Sequence, residues 1–245
     1  MTATQERGSI QKYFEDVGFK SLSAIYGEAE CDGFRAAVRK GHSEMIGTIL
    51  NWLGTPDTAG IGSVLDAGCG TGALSIPLAA SGVPVDAVDF SHNMIEAARE
   101  NAAGAGIPAS RLRLAVEDFM SIRRSYESVV CVDVLARYST WAAKDVLRHL
   151  STIATSRLIL TYTPKRLFDR LWLTIGNGYA RYKGSARLYT HREADLTAAL
   201  AHLGWMIHRR VEIASGLRSY FCCLVECRRA ELEAEPESIF TEVWY

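Results

Sequence analysis

Between residues 63 and 163, short apolar segments alternate with helix-like segments, and this alternation constrains the fold more than any other feature. The apolar segments read SVLDAG, VPVDAVDF, RLRLAVEDF, ESVVCVDVL and RLILTYT. The segments GALSIPLAASG, SHNMIEAARENAAGAG and TWAAKDVLRHLSTIA between them predict helices, with Ser91 as the N-cap of the second. Apolar strands that alternate with helices predict a parallel sheet covered on both faces.

The flanking segments complete this prediction. Residues 9–54 read as helical, with an apolar face of Phe34, Val38, Met45, Ile46, Ile49 and Leu53. After the helix HREADLTAALAHLGW, the segments MIHRRVEIAS and LRSYFCCLVEC predict an antiparallel pair at one edge of the sheet. We therefore predict an α/β, Rossmann-like fold with a mostly parallel seven-stranded sheet. Its parts are a helical lid (1–54), the core (55–163), a capping insertion (164–190), the last helix and edge strands (191–229) and a tail (230–245).

Composition excludes several classes of protein. The net charge of −1 over 245 residues offers no basic field for nucleic acid. The six cysteines form no CxxC pair and several lie in apolar runs, which predicts buried thiols in a reducing compartment. The histidines lack metal-binding spacing, so we expect no structural metal. The N-terminal residues lack an apolar signal region and no run is long enough to span a bilayer, so we expect a cytoplasmic protein.

The segment VLDAGCGTG, residues 64–72, predicts a ligand-binding turn between the first strand and its helix. Gly68 and Gly70 permit a tight turn and a close approach of the backbone to a ligand. No Lys-Ser/Thr pair follows, which excludes a P-loop. Ala73 stands where the third glycine of a dinucleotide fingerprint would fall, so an oxidoreductase on the same sheet ranks lower.

Acidic residues end the next three strands. Asp89 ends the second strand, where a carboxylate can accept hydrogen bonds from both hydroxyls of a ribose. Asp118 ends the third strand and can accept from an adenine amino group, while the Phe119 ring can stack on the base. Asp133 ends the fourth strand and precedes Arg137 and Tyr138. Because the carboxyl ends of parallel strands share one edge, these residues predict a single crevice.

The order Asp66-Ala67-Gly68-Cys69-Gly70-Thr71-Gly72, then Asp89, then Asp118-Phe119 resembles the signature of class I S-adenosylmethionine-dependent methyltransferases. The resemblance implies S-adenosyl-L-methionine as co-substrate, held by these residues and by Met94. Over residues 10–228, the pieces IYGEAE, VRKGHSEM, CVDVLARY and LILTYTPK are similar in order to magnesium-protoporphyrin IX methyltransferases of chlorophyll and bacteriochlorophyll biosynthesis. That family methylates the C13 propionate of its tetrapyrrole.

The family resemblance also implies roles for individual residues. Tyr26 matches an active-site tyrosine of the lid, and Arg39 matches a basic residue that can hold the methionine carboxylate. Asp133 and Tyr138 match as well: Asp133 is expected to bind the co-substrate beside its methionine end, and Tyr26 or Tyr138 to give the substrate carboxylate a second hydrogen bond. One position departs, because the family usually has a catalytic histidine where this chain has Arg137. Arginine does not accept a proton at accessible pH, so Arg137 is expected to align the substrate carboxylate instead.

We predict that the insertion binds the substrate. It interleaves basic and aromatic side chains, and Lys165, Arg166 and Arg170 are the candidates to hold propionates. The resemblance further implies the large porphyrin-carrying subunit of magnesium chelatase as a partner and permits peripheral contact with photosynthetic membranes. Two alternatives stay open at this point: an O- or N-methyltransferase of another small-molecule pathway, and a non-catalytic protein that binds a tetrapyrrole or the cofactor.

Overall fold

The computed structural model describes residues 3–15, 33–53, 62–165, 188–216 and 220–230. Within these residues seven strands form one sheet. They are β1 (Val64–Ala67), β2 (Val85–Asp89), β3 (Leu112–Val116), β4 (Tyr126–Cys131), β5 (Ala154–Tyr162), β6 (Trp205–Ser215) and β7 (Tyr220–Arg229). The first five correspond to the five strands predicted from the alternating pattern.

The sheet has the order β3-β2-β1-β4-β5-β7-β6. Strands β1 to β5 run parallel, and β7 is antiparallel to both β5 and β6. The predicted seven-stranded sheet with an antiparallel edge is therefore confirmed. Because β7 inserts between β5 and β6, the strand that comes sixth in the chain forms the outer edge. The carboxyl ends of β1, β2, β3 and β4 lie side by side, which brings the predicted site residues to one edge.

Six α-helices in the described residues accompany the sheet: α1 (Ala3–Tyr13), α2 (Gly33–Leu53), α3 (Ser75–Ala80), α4 (His92–Gly104), α5 (Thr140–Ile153) and α6 (Glu193–His202). Ser91 is the N-cap of α4, as predicted, and its Oγ accepts from the Met94 N–H at 3.4 Å. The first helix begins at Ala3, so its predicted start at residue 9 was wrong. Residues 54–61, most of the insertion (166–187) and the tail from 231 onward lie outside the described residues.

Two apolar cores cover the two faces of the sheet. One packs α5 and α6 against β4, β5 and β7, and Ile10 of α1 joins it. The other packs α2 and α3 against β1, β2 and the inner residues of β6 and β7. Near-continuous burial along β1, β2 and β4 explains why these strands read as apolar runs without alternation.

The apolar face predicted for α2 is correct except at one end. Met45, Ile49 and Leu53 are fully buried against the sheet, but Phe34 in the first turn is 60% exposed. The backbone carbonyl of Trp52 accepts from Arg157 near the start of β5, so the end of α2 lies at the amino edge of the sheet. Phe34 therefore lies toward the opposite, carboxyl edge, where no strand covers it.

The described cysteines agree with the prediction of buried thiols. Cys131, Cys222, Cys223 and Cys227 are buried, while Cys69 in the glycine loop is partly exposed, and all five are free. No described helix combines the length and the apolar character that a membrane span needs.

Candidate functional site

The glycine loop follows β1 and turns sharply at three glycines. Gly68, Gly70 and Gly72 all adopt positive φ, at 84°, 54° and 82°. The amides of Gly68 and Cys69 both donate to the Val88 carbonyl, at 2.9 and 3.0 Å, which ties the loop to the end of β2. A side chain is strained at these φ values, so glycine is required by the backbone itself.

Two buried carboxylates support this loop. Asp89 is 9% exposed and accepts from the amides of Gly70 (Oδ2, 3.1 Å) and Ser91 (Oδ1, 2.9 Å). Asp66 is 1% exposed, and its Oδ2 accepts from the Ser75 hydroxyl at the start of α3. Desolvation by burial raises the pKa of each carboxyl group to about 6. Asp89 is the last residue of β2, at the position predicted for the ribose acceptor, whereas Asp66 is buried in β1 and contacts the Ser75 side chain.

The end of β3 departs from its predicted role. Asp118 caps the short helix Phe119–Ser121 by accepting from the Met120 amide, and its other oxygen accepts from Arg7 of α1 at 3.3 Å. The Phe119 ring is 2% exposed and packs in the apolar core, so it does not present a face to the crevice. The prediction that Phe119 stacks on adenine does not match this placement, because its side chain points inward from the 3₁₀ turn.

A cavity of about 230 Å³ opens beside Asp118 instead. It lies between α1 and the carboxyl ends of β2 and β3, and its lining is Arg7, Gln11, Phe90, Val116, Glu117 and Asp118. Phe90 supplies the aromatic ring there, and Val116 is 45% exposed. A planar, partly polar group such as a nucleobase suits this combination of apolar walls and polar rim.

Asp133, two residues after the end of β4, is held from three sides. His42 Nε2 lies 2.8 Å from Asp133 Oδ2, the Tyr220 hydroxyl donates to the same carboxylate at 3.1 Å, and Thr161 Oγ1 accepts from the Asp133 amide at 2.6 Å. Burial acts to raise the pKa of Asp133. The charge and hydrogen bond of His42, the hydrogen bond from Tyr220 and the charge of Arg137 outweigh burial and hold the pKa below its usual value.

Arg137 and Tyr138 follow on a 3₁₀ turn, Leu135–Arg137. The Arg137 guanidinium lies 5.8 Å from the Tyr13 ring centroid and 5.3 Å from that of Phe14, within cation–π range. Arg137 therefore points beneath the end of α1. Tyr138 is 2% exposed within the core, where burial and then the charge of Asp118 raise the pKa of its phenol. Its side chain therefore packs in the core, which does not match its predicted role of giving the substrate a hydrogen bond.

The structure describes some of the remaining predicted site residues but not all of them. Arg39 is partly buried on α2, one turn before His42, and Met94 is 1% exposed on α4. Lys165 is exposed, and its amide donates to the His191 carbonyl at 2.8 Å, next to the turn that holds Arg137. Tyr26, Arg166 and Arg170 lie outside the described residues. Within the part of the chain that the structure describes, no three His, Cys, Asp or Glu side chains are grouped to hold a metal ion.

Sequence reasoning missed Arg7, Phe90, His42 and Tyr220. Phe90 directly follows Asp89, so an aromatic residue one position after a strand-end acid was a usable signal. The motif containing Gly41 and His42 was noted only as part of a resemblance. No local pattern marks Arg7 or Tyr220, because both reach the site from elements more than eighty residues away in sequence.

The sheet order, the antiparallel β7 and the glycine loop tied to an acid at the end of β2 together define a class I methyltransferase. A general methyltransferase-domain family matches residues 64–155, and the family "Magnesium-protoporphyrin IX methyltransferase C-terminus" matches residues 131–229. The two matches overlap over residues 131–155, which include the turn with Arg137 and α5.

The chain belongs to the magnesium-protoporphyrin IX methyltransferase family. It is 37% identical over 223 residues to the chloroplastic magnesium protoporphyrin IX methyltransferase of Arabidopsis thaliana, covering 89% of this chain and 69% of that protein. It is 30% identical over 228 residues to the magnesium-protoporphyrin O-methyltransferase of a Synechocystis strain, covering 93% and 98%. The crystal structure of the Synechocystis PCC 6803 enzyme with bound SAH superposes with a TM-score of 0.80 at 30% identity, covering 91% of this chain and all of that one.

Proposed function

We propose that this chain is an S-adenosyl-L-methionine-dependent O-methyltransferase that esterifies the C13 propionate of magnesium-protoporphyrin IX, a step of chlorophyll or bacteriochlorophyll biosynthesis. The observation that carries the proposal is the family relationship, which extends over 89% of the chain at 37% identity. The more specific family match begins at the last residue of β4 and therefore includes Asp133 and the turn with Arg137.

The crevice fits the co-substrate in its size and chemistry. The cavity beside Phe90 and Asp118 suits the adenine, and Asp89 retains acceptor capacity for the ribose hydroxyls beyond the two amides it already binds. Arg39 is the proposed partner of the methionine carboxylate, and Asp133 lies at the same end of the crevice. When bound, the co-substrate supplies an electrophilic methyl group on a positively charged sulfur.

A propionate needs no general base, because a carboxyl group with an ordinary pKa near 4.3 is already ionised at neutral pH. The contribution of this chain is therefore alignment and exclusion of water. Arg137 is charged and lies against the Tyr13 and Phe14 rings, so it can orient a carboxylate without taking its proton. Since Tyr138 is buried, Tyr26 is the better candidate for a second hydrogen bond to the substrate. Lys165, Arg166 and Arg170 are proposed to hold the propionates.

The test is methyl transfer measured by product mass, with magnesium-protoporphyrin IX and metal-free protoporphyrin IX as parallel substrates. The expected product is a monomethyl ester of the magnesium form. Asp89→Ala should weaken co-substrate binding at least about tenfold, because hydrogen bonds to a charged acceptor contribute about 1.5–3 kcal/mol each. Glu100→Ala, an exposed acid on α4, is the matched control. Unchanged affinity in Asp89→Ala would remove that residue from the site.

One observation favours a second candidate. Arg137 stands where the family usually has histidine, and an O- or N-methyltransferase of another small-molecule pathway would account for the change. Turnover of neither porphyrin, with normal binding of S-adenosylhomocysteine, would support that candidate. Tight binding of a porphyrin with no turnover would instead indicate a non-catalytic tetrapyrrole-binding role.

Peripheral contact with a membrane is a further part of the proposal. Trp141 in the first turn of α5 is 62% exposed and Leu188 is 38% exposed. The Tyr189 amide donates to the Ala136 carbonyl at 2.8 Å, so the neighbouring Leu188 lies beside the turn that carries Arg137. Trp141 follows the same turn in the chain. Sedimentation with vesicles of anionic and neutral lipid, compared between the wild type and Trp141→Ala, tests this contact.

The family relationship is the sole basis for proposing a protein partner. We propose the large porphyrin-carrying subunit of magnesium chelatase, which would deliver an apolar substrate without release into water. Stimulation of methyl transfer by the purified subunit loaded with porphyrin, relative to free porphyrin, is the expected outcome. Equal rates from the two sources would argue against delivery by that subunit.

A further inference from the structure

Asp133 has an unusual backbone conformation that its neighbours maintain. Its φ is 57°, and among the described residues it is the one non-glycine position with positive φ. Left-handed backbone is unfavourable for residues with a side chain, although aspartate tolerates it better than most. Such a conformation persists where surrounding contacts over-determine it, and these positions concentrate at functional sites.

The contacts that maintain Asp133 come from three separate elements. His42 of α2 and Tyr220 of β7 approach Asp133 Oδ2 at 2.8 and 3.1 Å, and Tyr220 also lies 3.2 Å from Oδ1. Thr161 of β5 accepts from the Asp133 amide. The His42 and Tyr220 rings pack with centroids 4.8 Å apart, so each side chain also limits the movement of the other.

Gly41 explains how α2 comes close enough for this arrangement. A Cβ at position 41 would lie 2.2 Å from Tyr220 Cδ1, which is closer than atoms can approach. The absence of a side chain therefore lets the Tyr220 ring pack directly on the helix backbone, and His42, the next residue, reaches Asp133 from above. Gly41 and His42 together therefore bring α2 and Tyr220 into contact with Asp133.

The turn after Asp133 contacts the glycine loop on one side and the residues at the end of α1 on the other. A Cβ at Gly68 would lie 2.6 Å from Val134 Cγ2, so the turn closes over the glycine loop. Three residues further on, Arg137 lies under Tyr13 and Phe14. The amides of Arg137 and Tyr138 donate to Val134 and Leu135 at 2.9 and 3.0 Å, which keeps the turn compact. The direction of this turn is set by the backbone of Asp133.

We propose that His42 is a positioning residue for methyl transfer: with Tyr220 it holds the Asp133 carboxylate and thereby fixes the turn that carries Arg137. The proposal rests on the methyltransferase function proposed above. His42 acts through its hydrogen bond to Asp133, and it needs no contact with the substrate. Through the turn, His42 aligns Arg137.

The kinetic test compares His42→Ala, His42→Gln and Tyr220→Phe, with Lys40→Ala as the control for an exposed change on the same helix. His42→Ala should lower kcat about ten- to a hundredfold, the factor associated with a lost hydrogen bond to a charged group. The Kd of S-adenosylhomocysteine should change less than about threefold. Glutamine places an N–H near the position of His Nε2, so His42→Gln should recover most of kcat. Loss in His42→Gln equal to that in His42→Ala would overturn the proposal.

A double-mutant cycle separates positioning from general stability. If His42 acts through Arg137, His42→Ala should cause less than about a threefold further loss in an Arg137→Ala background, because interacting residues are not additive. Additive losses in the double variant would refute the connection. Tyr220→Phe, which removes only a hydroxyl, should show the same non-additivity and serves if His42→Ala is too unstable to assay.

Hydrogen exchange provides a readout that does not depend on activity. The amides of residues 134–138 should exchange at least about tenfold faster in His42→Ala than in the wild type, and at the wild-type rate in His42→Gln and Lys40→Ala. Unchanged exchange across 134–138 in His42→Ala would overturn the positioning role. If the wild type methylates no porphyrin, the proposed function fails, whereas the exchange result still decides whether His42 fixes the turn.

Discussion

Arg7 of α1 donates to Asp118 at the end of β3 across 3.3 Å, and the two residues together line the cavity beside Phe90. The same helix contributes Glu6, which accepts from the amide and hydroxyl of Ser139 at the start of α5. The N-terminal helix is therefore held at two points over the carboxyl edge of the sheet. The helical lid over residues 1–54 stays a prediction, and these two contacts are where it can be tested in α1.

Arg7→Ala should loosen α1 with a modest effect on affinity. Both partners of the ion pair are about one-third exposed, so solvent screening limits its contribution to about 1 kcal/mol or less. We expect a Kd for S-adenosylhomocysteine two- to fivefold higher by calorimetry. Hydrogen exchange across α1 should also become faster in the free protein and slow on ligand addition. Equal protection of α1 with and without ligand would contradict the lid.

Gly68→Ala should destabilise the protein more than Gly70→Ala. Both glycines have positive φ, but only the added Cβ at Gly68 meets a neighbour, Val134 Cγ2 at 2.6 Å, while none lies within 4 Å at Gly70. The comparison therefore separates backbone strain, common to both, from steric overlap. We expect Gly68→Ala to cost about 1–3 kcal/mol more in urea unfolding, and Val134→Ala in the same chain to recover part of that difference.

Asp66 should make stability depend on pH below neutrality. Its pKa is raised to about 6 by burial, from an ordinary value near 3.8, so the native state binds a proton more tightly than the unfolded chain. Its contribution is therefore fully present below about pH 4 and is lost as the pH rises through about 6. The unfolding free energy of the wild type relative to Asp66→Asn should fall by about 2–3 kcal/mol over that interval. A constant difference across the interval would show that Asp66 does not titrate as described.

Arg137→Ala should lower kcat/KM for magnesium-protoporphyrin IX about ten- to a hundredfold, through loss of a charged hydrogen bond to the propionate. Arg137→His should restore most of the activity, because imidazolium can also orient a carboxylate. Steady-state kinetics at saturating co-substrate measure both variants. Wild-type rates in Arg137→Ala would transfer the aligning role to Tyr26.

The fold was largely determined by local sequence. The alternation of apolar and helical segments specified the parallel strands, and the N-cap at Ser91 specified the start of α4, because both signals depend on residues close together in the chain. Asp89 is the last residue of β2, as the alternation predicted, whereas Asp118 and Asp133 lie two residues beyond the ends of β3 and β4. A sheet of parallel strands brings such ends to one edge without further information.

Tertiary structure decided what each strand-end side chain contacts. The sequence offered Phe119 as the aromatic residue of the crevice, but the 3₁₀ turn after β3 directs it into the core and leaves Phe90 at the cavity. Arg7 contacts Asp118, and His42 and Tyr220 contact Asp133. The residues of each pair lie 87 to 111 positions apart in the sequence, so no short stretch of sequence predicts these contacts. Contacts at such separations depend on how α1, α2 and β7 pack against the sheet, and packing is fixed by complementary shape across the whole fold rather than by any short stretch of sequence.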